Sequence, residues 1–223
     1  MDPRAPRDED ELLRRARALA GQTVGQLARR LGRRVPADPA HGKGLAGELA
    51  EQALGATAGN LDQPDFTALG VELKTIPMDE TGRVRESTYV CALDLKQVQR
   101  EEWEASRVRR KLARVMWLPV EWSPGAPPAG RHYGNPTIWS PDTEQERLLR
   151  DDWIALVGRI AVGGIEEITA HMGRALQIRP KAADGSVQVE VAGPDGEPML
   201  TVPRGFYLRA AFTEEVLWRC TGP

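Results

Sequence analysis

The run Gly70-Val71-Glu72-Leu73-Lys74-Thr75-Ile76 constrains the fold more than any other segment of the chain. Alternate side chains of a strand share a face, so Glu72 and Lys74 point one way while Val71, Leu73 and Thr75 point the other. Burial of the aliphatic face fixes the direction of the charged one. Just upstream, Phe66–Ala68 reads as a short partner strand joined by a tight turn at Leu69-Gly70, which brings Asp65 alongside Glu72 and Lys74. Two carboxylates then converge on one point beside an ammonium.

The flanking segments supply the rest of a mixed α/β protein. Asp8–Ala20 has acids in its first turn, arginines after them and Leu12, Leu13, Ala16 and Leu19 at helical spacing. Thr23 is placed to cap a second helix through Leu31, and Gly44–Leu54 reads as a third, ended by Gly55. Ser87–Leu93 and Val115–Val120 read as strands, while Val108–Ala113 fits either helix or strand. Pro124, Pro127, Pro128 and Pro136 mark 121–137 as a surface loop between two lobes. Beyond it, Pro141 opens a long helix over Thr143–Val162. Strands follow at Ala175–Arg179, Val187–Val191, Leu200–Val202 and Gly205–Leu208, and a helix over Thr213–Arg219 closes the chain. The six tryptophans read as core.

Composition narrows the class. Hydrophobic residues make up 41% of 223, enough for a packed core. A net charge of -2 announces no nucleic-acid partner, although a neutral total can hide a basic cleft. Cys91 and Cys220 form no CxxC pair, which argues against a structural zinc site and a disulfide framework. The stretch MDPRAPRDEDELL has no apolar signal segment and no run is long enough to span a bilayer, so a cytoplasmic protein is expected. His41, His132 and His171 form no metal or triad pattern, and no Gly-rich phosphate loop is present.

Paired carboxylates repel and so call for a cation. Mg²⁺ is hard, prefers oxygen and keeps water in its shell. Held by Asp65 and Glu72, it would lower the pKa of a bound water and screen charge on a phosphodiester, with Lys74 orienting the water or stabilising the transition state. This is the P-D…(D/E)-x-K logic of metal-dependent nucleases, although Pro-Asp turns and exposed Glu-x-Lys pairs are common for other reasons. A third acid is expected from a helix, and the spacing leaves Glu48 and Glu51 both open. Arg107, Arg109, Arg110, Lys111 and Arg114 offer phosphate contacts, or else a solvated face balanced by Glu101, Glu102 and Glu104. Arg179-Pro180-Lys181 suits a rigid loop entering a groove, and Arg204-Gly205-Phe206-Tyr207-Leu208-Arg209 interleaves basic and aromatic residues, with Phe206 and Leu208 readable as core.

These segments resemble a known family. Asp65–Pro77 is similar to the active-site segment of the MutH family of mismatch-repair nicking endonucleases, and so are Trp103–Ser106, Arg114–Val120, Leu176–Ala182 and Pro203–Leu208. The likeness runs in order over roughly residues 8–217. It implies a restriction-endonuclease-like fold, a mixed sheet flanked by helices with two lobes around a DNA cleft. The catalytic lobe would cover about 8–120 and the DNA-reading lobe about 138–219. It also implies Mg²⁺-dependent nicking of the unmethylated strand at hemimethylated GATC sites in double-stranded DNA, by a monomer activated by MutL and, indirectly, MutS. By position, Asp65 and Glu72 are metal ligands, Lys74 is the catalytic lysine and Glu51, in preference to Glu48, is the helical acid. Lys43, Tyr89, Lys111, Arg179, Lys181 and Tyr207 match DNA-contacting positions, with Tyr89 standing where the family has phenylalanine. The helix after Lys43 is richer in alanine than the family's, and 94–102 and 121–137 diverge. Two other readings remain: a type II restriction enzyme cutting both strands at GATC, which would need two active sites, and a non-catalytic DNA-binding module, against which the retention of both acids and Lys74 speaks.

Overall fold

The helical patterns ahead of the charged strand close a core with it. The computed structural model describes residues 4–36, 44–59, 61–181, 187–193 and 195–221. By its contacts the chain divides into two units that interleave along the sequence: 1–86 with 113–140 and 214–223, and 87–112 with 141–213.

In the first unit, α1 (Glu9–Arg17) starts at Asp8, whose carboxylate accepts the Glu11 N–H. α2 (Val24–Arg30) starts at Thr23 in a reciprocal capping box with Gln26. α3 (Leu45–Leu54) ends at Gly55 in the left-handed region. β1 (Glu72–Met78) pairs in parallel with β3 (Val115–Glu121), and β3 pairs antiparallel with β4 (Thr137–Trp139). Leu12, Leu27, Leu49, Leu54, Val71, Leu73, Met116 and Leu118 form one buried cluster across these helices and strands. Ile76, on the Glu72 side of β1 by alternation, is also fully buried, so β1 is covered on both faces as parallel strands usually are.

In the second unit, β8 (Arg204–Leu208) lies between β2 (Thr88–Ala92) and β5 (Leu176–Pro180) in an antiparallel sheet, with a bulge in β2 between Tyr89 and Cys91. β6 (Val189–Ala192) and β7 (Pro198–Thr201) form a separate hairpin. α4 spans Arg107–Leu112, resolving the helix-or-strand ambiguity in favour of helix. α5 (Thr143–Ala161) begins in a capping box of Asp142 and Gln145. Within α5, Asp152 is buried and accepts the backbone N–H groups of Arg174, Ala175 and Leu176 at 2.7–2.8 Å, tying the start of β5 to the helix. α6 (Ala210–Thr221) crosses from the second unit back to the first.

Several expectations are corrected. Phe66–Ala68 is no strand: Phe66 makes one bridge to Val71, and the residues between them form a turn too tight for a ladder. β4 was not expected, because three residues between Pro136 and Pro141 show no periodicity. The tryptophans are not uniformly core: Trp103, Trp117, Trp139 and Trp153 are buried, but Trp218 is 65% exposed and Trp122 lies half-buried beneath the Arg85 guanidinium. No described helix is long and apolar enough to cross a membrane.

Candidate active site

Asp65 reaches β1 by a short turn. The backbone N–H groups of Leu69 and Gly70 donate to the Phe66 and Thr67 carbonyls, and Phe66 N–H donates to the Val71 carbonyl at 2.9 Å. Gly70 has φ +66°, a conformation open to glycine at little cost, and that reverses the chain. The outcome is a hydrogen bond from Leu73 N–H to Asp65 Oδ2 at 2.8 Å. One residue either side of Leu73, Glu72 and Lys74 share the other face of β1, with Lys74 Nζ donating to Glu72 Oε1 at 2.7 Å. Glu72 is 2% exposed, so this ion pair sits in the interior, where each partner depends on the other. The Glu72 N–H in turn donates to the Arg114 carbonyl at the start of β3.

α3 brings the third acid. Burial pushes the Glu51 carboxyl above its ordinary range; repulsion from Asp65 and Glu72 adds to the rise, and the Lys74 ammonium offsets part of it. The charges of Asp65, Glu72 and Lys74 thus act on Glu51, and Glu48 on the same helix adds a smaller upward push. Glu48 points elsewhere, pairing with Arg33 at 3.2 Å on the surface. The structure therefore separates two acids that helical spacing left equivalent.

The cluster sets three carboxyl groups against one ammonium in a largely buried place, an imbalance a divalent cation would offset. Among the described residues no three His, Cys, Asp or Glu side chains are arranged to hold a metal by themselves. Mg²⁺ asks for less, since it commonly takes one or two carboxylates and completes its shell with water and substrate phosphate. Asp65 and Glu72 fit that requirement.

The second unit gathers Tyr89, Gln177, Arg179 and Tyr207 on one face of its sheet. Tyr89, Tyr207 and Gln177 lie in register across β2, β8 and β5, with Arg179 opposite Gly205 one row along. The Tyr89 and Tyr207 rings meet edge-on at 5.3 Å between centroids, and Lys181 Nζ stands 5.2 Å from the Tyr89 ring centre. Burial raises the Tyr207 phenol, Tyr89 adds to that, and the Arg179 guanidinium partly offsets it. Phe206 and Leu208 point into the core as expected. Sequence reasoning missed Ser87, whose hydroxyl accepts hydrogen bonds from Gln177 Nε2 at 2.7 Å and Arg179 at 3.3 Å. It also missed the room left at Gly205, where a Cβ would sit 2.9 Å from the Tyr89 ring.

The basic segment divides: Arg109 and Arg110 are exposed, whereas Lys111 is buried. Arg109 pairs with Glu146 at 2.6 Å, Arg114 with Glu9, and Lys111 is only 9% exposed. His132 pairs with Glu121 on the surface. Lys43 and His41 lie outside the described residues.

A mixed sheet flanked by helices, with Asp65 hydrogen-bonded to β1 and Glu72 and Lys74 paired on it, defines a protein of the restriction-endonuclease-like class. Residues 54–152 match the family described as the DNA mismatch repair enzyme MutH. Proteins named DNA mismatch repair protein MutH align over nearly the whole chain. That of Yersinia enterocolitica is 47% identical over 98% of this chain and 96% of its own. The Vibrio parahaemolyticus protein is 47% identical over 95% and 94%, and that of Escherichia coli 49% identical over 96% and 93%. The chain belongs to the MutH family of DNA mismatch repair enzymes.

Proposed function

We propose that this protein is the nicking endonuclease of methyl-directed mismatch repair, cutting the unmethylated strand of double-stranded DNA at hemimethylated GATC sites with Mg²⁺ as cofactor. The observation that carries this reading is the joint placement of Asp65 and Glu72 around Leu73, with Lys74 Nζ 2.7 Å from Glu72. Asp65 and Glu72 would hold the metal, which supplies charge stabilisation for the phosphate and an acidified water. Lys74 presents its ammonium at the same point, positioned to hold the attacking water or to donate to a phosphate oxygen as charge develops there. Glu51, held above the ordinary carboxylate range by burial, supplies a carboxyl group able to exchange a proton within the cluster. Water adds to phosphorus, a P–O bond breaks, and the leaving oxygen ends protonated.

Strand choice is assigned to the tyrosine and arginine face of the second unit, with Lys43 and Lys111 on the phosphates. Activation by MutL, responding to MutS, and action as a cytoplasmic monomer belong to the same reading. The deciding experiment compares unmethylated, hemimethylated and fully methylated GATC duplexes with Mg²⁺, with and without MutL. Nicks confined to unmethylated strands and stimulated by MutL are expected. Concerted cleavage of both strands would instead identify a type II restriction enzyme.

A further inference from the structure

α3 is rich in alanine, yet it carries one glycine, Gly47, in its interior. Glycine is a poorer helix former than alanine. What it provides is contact distance: a Cβ on Gly47 would lie 3.3 Å from Thr75 Oγ1 and 4.0 Å from Thr75 Cγ2, on β1. At that distance an alanine methyl requires Thr75 to give by a few tenths of an ångström, in its side chain or in how α3 seats on β1. The Tyr133 hydroxyl donates to the Ala46 carbonyl at 2.9 Å, so the same turn of α3 is pinned from another direction. Gly47 and Glu51 are four residues apart and share a helix face. Thr75 adjoins Lys74 in β1. This contact of α3 with β1 thus falls one turn from the helical acid and one residue from the lysine.

We propose that Gly47 is a positioning residue of the active site: by letting α3 seat against Thr75 it sets where the Glu51 carboxyl stands relative to Asp65, Glu72 and Lys74. This rests on the reading of those four residues as the catalytic cluster.

Steady-state nicking and thermal unfolding of Gly47→Ala, Thr75→Ala and the double variant test it, with Glu72→Gln run alongside. Alanine is the better helix former, so a purely structural role predicts an unchanged or higher Tm and wild-type turnover. The positioning role predicts an unchanged or higher Tm with kcat lowered about tenfold, since displacements well under 1 Å matter at a reacting centre, and a KM for DNA within about twofold of wild type. Thr75→Ala removes the obstructing Oγ1, so the double variant should recover kcat to within about threefold, while Thr75→Ala alone stays close to wild type. Wild-type kcat in Gly47→Ala, a kcat loss that Thr75→Ala does not rescue, or a fall in Tm with equal losses in kcat and DNA affinity would each overturn the proposal. The control keeps the two ideas apart: if Glu72→Gln nicks normally, the catalytic reading itself fails.

Discussion

Asp65 Oδ2 accepts the backbone N–H of Leu73 at 2.8 Å, so a catalytic candidate also holds its own strand in place. The two roles separate by substitution. An asparagine at 65 keeps an oxygen for Leu73 N–H but loses the charge. Asp65→Asn should therefore unfold within about 0.5 kcal/mol of wild type, with nicking down by about a thousandfold, the scale of a lost metal ligand. Asp65→Ala should lose the same activity and a further 1–2 kcal/mol, roughly the cost of a buried N–H left unpaired. Urea unfolding and single-turnover nicking measure both; an Asp65→Asn protein that nicks at the wild-type rate removes Asp65 from the site.

Asp152 should be the most expensive carboxylate to remove from the second unit. Three backbone N–H groups at the entry to β5 depend on it, and it is buried. Asp152→Ala is expected to cost about 3 kcal/mol and, because β5 carries Gln177 and Arg179, to weaken DNA binding as well. A ΔΔG below about 1 kcal/mol by chemical denaturation would show that those N–H groups find other partners.

The acid limb of stability should contain a share from Glu9. Hydrogen bonds from Arg114 hold the Glu9 carboxyl below its ordinary range, against a smaller opposing effect of burial. A depressed carboxyl stabilises the fold above its unfolded value near 4.5, and that contribution disappears as pH falls through the folded value. Both side chains are more than a third exposed, so screening limits the contribution to about 0.5 kcal/mol. Glu9→Gln should lower Tm slightly at pH 7, and the difference should shrink as the pH falls below 4.5 through the folded value. A difference that does not change with pH would mean the ion pair contributes nothing.

How far the sequence could be read depended on whether a feature was local. Alternation in β1, the cap at Thr23 and the turn at Gly70 are set by neighbouring residues, and the strand, helices and reversal appear close to where pattern placed them. Glu48 and Glu51 are both one turn or less from Gly47, and only the packing of α3 separates the surface partner of Arg33 from the buried acid. Asp152 sits in the charged run Arg150-Asp151-Asp152, so its burial has no periodic signature. Ser87 lies 90 residues from the Gln177 it supports. Lys111 looks like part of a solvated basic stretch until the fold buries it.

That burial changes what is expected of Lys111. Replacing it with methionine keeps the stem's packing and removes the ammonium, so urea unfolding of the variant reports what the ammonium contributes to the fold. If the ammonium neutralises a phosphate, affinity for DNA of any sequence should drop and the slope of log K against log salt should shrink by about 0.9. Fluorescence anisotropy between roughly 50 and 200 mM salt reads this. An unchanged slope would leave Lys111 a structural lysine.

Methyl sensing should depend on the Tyr207 hydroxyl separately from its ring. N6-methylation of adenine adds bulk in the major groove and removes one donor hydrogen from the exocyclic amine. A reader must hold a stiff polar group against that amine. The Tyr207 ring is braced by Tyr89 at 5.3 Å, while the Arg179 guanidinium acts on its phenol. Tyr207→Phe preserves the ring contact and deletes the hydroxyl; Tyr207→Ala deletes both. A base contact is worth about 1–3 kcal/mol. Tyr207→Phe should thus narrow the preference for unmethylated over methylated strands by about fivefold or more, with cutting of unmethylated GATC largely retained. Tyr207→Ala should narrow it further and also loosen Tyr89. The ratio of nicking rates on unmethylated, hemimethylated and fully methylated duplexes gives the answer, with circular dichroism confirming the fold. If both variants keep the wild-type ratio while folded, the methyl group is read elsewhere, and Arg179 with its Ser87 support becomes the next pair to substitute.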